Sequence, residues 1–109
     1  MVKGKAMLMC SRCGKDLKES GGDNVIASIS GSIMGDEMTE TFYECPKCHH
    51  YTLEICHDRF CGETTCNTQG PYSLAEVGSR ISLIKQCSEP WDKKCRCEAH
   101  VRYFDGWLD

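Results

Sequence analysis

Between Val25 and Met34 the chain is rich in β-branched residues, and a period-2 pattern puts Val25, Ala27, Ile29 and Ile33 on one face. Gly35, Asp36 and Glu37 supply turn residues, and Met38 to Glu44 alternates again, with Thr39, Thr41 and Tyr43 set against Met38, Glu40 and Phe42. A β-hairpin is predicted. Tyr51 to Ile55 repeats the alternation and predicts a third strand. From Cys56 to Pro71 the periodicity fails, and Gly62, Thr64, Thr65, Asn67, Thr68 and Gly70 read as an irregular connection. Ser73 followed by Glu76 forms a capping box, so a helix is predicted from about Leu74 to Gln86. Leu74, Val77, Ile81 and Ile84 lie within an arc of about 80° and form its expected core face. Beyond Pro90, aromatic residues interleave with cysteine and histidine through Trp91, Cys95, Cys97, His100, Tyr103, Phe104 and Trp107.

The apolar material is thin. Only 40% of the 109 residues are hydrophobic, and that count includes ten cysteines. A chain this small with so little to bury calls for disulfides or a structural metal. Compartment decides between them: no export signal is visible before Cys10, and no run of about 18 apolar residues could span a bilayer. The expectation is a cytoplasmic protein without a membrane segment, in which paired cysteines bind metal more often than each other. A formal charge of −3 offers no general field for a phosphate backbone, so nucleic acid is a disfavoured partner.

Two C-x-x-C pairs, Cys10/Cys13 and Cys45/Cys48, flank the predicted hairpin. The two-residue spacer lets both sulfurs of a pair converge on one ion while backbone N–H groups point at them, and two such pairs complete a tetrahedral zinc site. Cys10-Ser11-Arg12-Cys13-Gly14 and Cys45-Pro46-Lys47-Cys48 resemble the knuckles of zinc-ribbon and rubredoxin-like proteins over about residues 8–56. The resemblance implies a three-stranded ribbon around one metal, and it implies no single function. Iron in the same four-sulfur frame is the rubredoxin alternative, but His49 stands where those proteins customarily have Gly. Cys45-Pro46-Lys47-Cys48-His49 also spells the c-type haem attachment motif, which would leave the other pair unexplained.

A second set, Cys87, Cys95, Cys97 and His100, is spaced C-x7-C-x-C-x2-H and predicts a second zinc ion tying the helix end to the C-terminal segment. An iron–sulfur cluster and buried thiols compete with that reading. Lys93, Lys94 and Arg96 beside these cysteines read as charge compensation, with a local phosphate contact aided by Trp91 as the sharper alternative. Cys56, Cys61 and Cys66 recur every five residues in the irregular connection; any could replace a ligand, and a Cys61–Cys66 disulfide is a further option.

The fold class expected is a small metal-stabilised α+β protein: a three-stranded antiparallel zinc ribbon over residues 1–56, then a helix-containing, otherwise irregular Cys/His-rich lobe over 57–109, packed on it. No catalytic constellation stands out, since a filled tetrahedral site has no open position. The chain reads as a non-enzymatic zinc-binding module that docks on another protein. Rubredoxin-like electron transfer and nucleic-acid binding are the alternatives.

Overall fold

The computed structural model describes Cys10 and residues 24–45, 47–59 and 62–108. Its strands are β1 (Val25–Ile33), β2 (Asp36–Glu44), β3 (Tyr51–Asp58) and β4 (Thr64–Tyr72), and its helices are α1 (Leu74–Gln86) and α2 (Glu98–Tyr103). The strands form one antiparallel meander in chain order, β1-β2-β3-β4. The predicted hairpin and third strand are present, and the sheet has a fourth strand. The expected irregular connection is corrected here: β3 runs on to Asp58 and β4 pairs with it from Thr64 to Tyr72. β4 escapes hydrophobic pattern reading because all its residues are exposed except Tyr72, its last, which packs against the core. The boundary expected at residues 56/57 falls inside β3.

One face of the sheet carries the core. Ala27 and Ile29 of β1, Phe42 of β2 and Tyr51 and Leu53 of β3 pack with Val77, Ile81 and Ile84 of α1 and with Phe104 after α2. Phe42, at 0% exposure, contributes roughly 2–3 kcal/mol through burial of its ring. On the other face, Ser28 bonds Thr41 and Ser30 bonds Thr39 through their hydroxyls at 2.9 and 2.8 Å. Opposed Thr and Ser on adjacent strands stabilise the pairing without apolar burial.

Two expected core positions are corrected. A bulge between Val25 and Ala27 sets Val25 opposite Tyr43 while Ala27 sits opposite Phe42, so the extra residue throws Val25 off the core face and leaves it exposed. Leu74, first residue of α1, is 60% exposed; it lies back along its own helix, with Cδ1 3.5 Å from where a Gly78 Cβ would be. The capping box holds as read, with Glu76 N–H donating to Ser73 Oγ and Ser73 N–H to Glu76 Oε1.

A charged contact couples three elements. Arg80 of α1 donates to Glu40 of β2 at 2.8 Å, Tyr103 of α2 donates to the same carboxylate oxygen, and the Arg80 guanidinium lies over the Phe42 and Tyr103 rings. At the outer edge, Ser30 of β1 donates its N–H to the carbonyl of Pro90 at 2.8 Å, so the segment after α1 covers part of an edge that would otherwise be bare.

Candidate metal centres

Cys87, Cys95, Cys97 and His100 converge. One ligand atom from each lies within 4.8 Å of every other, so the cluster could hold a metal ion. Each residue is placed by a local feature. Cys87 caps the C-terminus of α1, its N–H donating to Ile84. Cys95 follows a tight turn in which its N–H donates to Asp92. Cys97 is the N-cap of α2 and accepts the His100 N–H at 3.4 Å, while His100 stands one turn into the helix and is fully buried. Helix α2 was not foreseen, being too short for periodicity to show; its sequence signal is the cap position three residues before His100.

The distances fit one ion. Cys87 Sγ lies 3.7 Å from Cys95 Sγ, 3.4 Å from Cys97 Sγ and 3.3 Å from His100 Nδ1. The edges of a zinc tetrahedron with sulfur and nitrogen ligands are about 3.6–3.8 Å. The imidazole is also oriented for the task. His100 Nε2 is 2.6 Å from the Ser30 carbonyl oxygen, which only accepts, so Nε2 carries the proton and Nδ1 is left as an acceptor for the Cys87 thiol, its lone pair free to ligate an ion placed among the sulfurs. Burial pushes the Cys87 thiol up to about 12, and its thiol neighbours add to the shift. The His100 backbone N–H lowers Cys97. A divalent cation among these sulfurs reverses the cost of charging them, because it supplies the compensating charge that the buried site lacks.

The first set is described in part. Cys10, Cys45 and Cys48 also lie within 4.8 Å of one another and could hold a metal ion, with Cys10 Sγ 3.6 Å from Cys48 Sγ. Cys13 lies outside the described residues. Cys10 and Cys45 are buried beside Tyr43. The second knuckle follows directly on β2: Lys47 N–H points at Cys45 Sγ at 3.4 Å, and His49 N–H donates to the Cys45 carbonyl at 2.8 Å. His49 has φ +61°, the left-handed conformation that Gly adopts most readily, so it occupies a glycine-like position. Its ring sits at the surface, 3.7 Å from Glu44, and His50 Nδ1 donates to the Cys48 carbonyl.

Cys56 and Cys66 are neither spare ligands nor partners of Cys61. They stand directly opposite each other on β3 and β4 and form a disulfide, with the Glu54 carboxylate close to both sulfurs. Sequence reading missed it because the pairing depends on β4, and Cys61 lies outside the described residues. Two of the three basic residues near the second cluster have partners: Lys93 reaches Glu37 of β2 at 3.6 Å, and Arg96 donates to the Lys93 and Cys95 carbonyls. Among the described residues no helix is long and apolar enough to cross a membrane. Comparison with protein-family models, curated proteins and solved structures finds no match to this chain.

Proposed function

We propose that the chain is a zinc-binding module in which two zinc ions act structurally and whose work is to present a surface to another protein. The observation that carries this reading is the convergence of three cysteine sulfurs and His100 Nδ1, with the far side of the imidazole anchored on Ser30. Such a donor set suits zinc, and an imidazole held by a backbone carbonyl is the usual outer support of a zinc ligand. The second ion would be held by Cys10, Cys45 and Cys48, with Cys13 as the fourth ligand that the knuckle spacing supplies. Four protein ligands at each ion leave no open position for substrate, which favours a structural over a catalytic role.

A zinc at the Cys87 cluster would join the end of α1 and the start of α2 to β1 through Ser30. It would thereby fix the segment that carries Trp91 and the turn that carries Trp107, which are 70% and 69% exposed. Large exposed aromatic side chains are the type most enriched where proteins dock. Metal analysis of the purified chain tests the reading, with about two zinc ions per chain expected and about one after Cys95→Ser. Iron content, with visible absorption, would replace the structural reading with electron transfer.

A further inference from the structure

The exposed face of β4 holds a chemistry that the metal reading does not use. Ser30 of β1 turns its N–H outward, to Pro90. Antiparallel strands alternate between residues that bond one neighbour and residues that bond the other. Thr39, opposite Ser30, therefore bonds towards β3; Cys56, opposite Thr39, bonds back towards β2; and Cys66, opposite Cys56, turns its N–H and C=O out of the sheet. Thr64 and Thr68 share that direction by the same period of two. Among the described residues nothing pairs with this edge, since β4 is the last strand and its residues from Thr64 to Pro71 are exposed. No residue of β4 is charged. Of the devices that commonly blunt an edge, Pro71 and a bulge lie at the C-terminal end of β4, and the stretch from Thr64 to Thr68 carries none.

We propose that β4 is a docking edge for an extended, thiol-bearing peptide, and that Cys66 is the sulfur at which thiol–disulfide exchange with that peptide takes place. A strand added beside β4 would lie about 4.8 Å away, with the residue opposite Cys66 projecting its side chain on the same face of the sheet. A cysteine at that position stands in a row with Cys66 and Cys56, across three neighbouring strands. Displacement at sulfur needs that alignment, because the incoming thiolate attacks along the axis of the bond it breaks. The new bond joins the peptide sulfur to Cys66 Sγ. The electron pair of the Cys56–Cys66 bond leaves on Cys56 Sγ, which takes a proton from water. A second thiol on the peptide attacks the peptide sulfur of the mixed disulfide; Cys66 leaves and takes the second proton. The peptide has then lost two electrons and two protons, and Cys56 and Cys66 are a dithiol. The reverse sequence reduces a peptide disulfide. None of these steps involves the metal clusters.

The test uses the full chain with its metal in place and two probes of equal thiol chemistry. One is a capped nine-residue peptide alternating Thr and Val around a central Cys; the other is a capped single cysteine. Mixed disulfide is followed by mass spectrometry with peptide mapping. Reaction at Cys66 about tenfold or more faster for the peptide is expected, since only the peptide can add as a strand. Thr68→Pro removes an outward N–H without touching the β3 ladder, so it should abolish the peptide's advantage and leave the capped cysteine's rate alone. Equal rates for both probes in the unaltered chain would overturn the proposal, whatever the fate of the variant. So would an adduct mapped to Cys56, a Thr68→Pro chain of native circular dichroism that keeps the advantage, or a covalent dimer through Cys66 formed in preference to the peptide adduct.

Discussion

His100 Nε2 donates to the carbonyl oxygen of Ser30 at 2.6 Å, joining the second Cys/His cluster to the edge strand of the sheet across 70 positions of sequence. The bond fixes the ring orientation and leaves Nδ1 turned towards the sulfurs. His100→Ala removes both the ligand and the donor. Bound zinc should fall from about two equivalents to about one, and the loss of a buried bond should itself cost about 1–3 kcal/mol in urea unfolding. A variant that keeps its full metal content would separate His100 from the cluster.

Gly31, next to Ser30, tests how closely the C-terminal segment packs on β1. A Cβ there would lie 2.6 Å from Leu108 Cδ2 and 2.7 Å from Phe104 Cε2. The partly buried Leu108 side chain can turn aside, but the Phe104 ring cannot give way without opening the core around it, so Gly31→Ala should destabilise the fold by about 1–3 kcal/mol. Unfolding midpoints in urea measure this. Zinc content should be unchanged, because no sulfur is disturbed.

The Tyr103 phenol gives the stability a dependence on alkaline pH. Burial pushes it above its ordinary 10.0, and the Glu40 carboxylate pushes the same way. The folded chain then keeps a proton that the unfolded chain releases. Stability from this group is complete below 10.0 and is lost as pH rises beyond it, at a rate of about 1.4 kcal/mol per pH unit. Tyr103→Phe removes the ionisation along with the bond to Glu40. It should lower stability near neutral pH and flatten the decline above about pH 10, as read from urea unfolding over a pH series.

Stripping the metal should loosen the chain around the cysteines. Zinc bound by four such ligands supplies about 10–16 kcal/mol of apparent free energy at neutral pH, comparable with or above the whole stability of a small domain. A strong chelator at neutral pH should therefore weaken the near-UV signal of the buried Tyr43, Tyr51 and Phe104, and the metal-free chain should melt lower or not cooperatively. Protons compete for the same sulfurs, so acidification should release metal and structure together, with recovery on neutralisation in added zinc. A metal-free chain with an unchanged spectrum and melt would show that the apolar core suffices alone.

Some of this was open to reading along the chain. The hairpin, the third strand, the capping box and three of the four core residues of α1 follow from local alternation, the helical repeat and Ser73/Glu76, because each depends on residues close in sequence. The Cys87, Cys95, Cys97 and His100 set was visible as a compact spacing for the same reason. Tertiary structure decided the rest. β4 has no buried face and becomes a strand only by pairing with β3, which also brings Cys56 against Cys66. Val25 leaves the core because one residue is inserted opposite Tyr43, and alternation read along a single strand cannot register an insertion relative to its neighbour. The hydrogen bond that aims His100 depends on the edge of β1 lying beside α2, a relation between distant segments that packing alone creates.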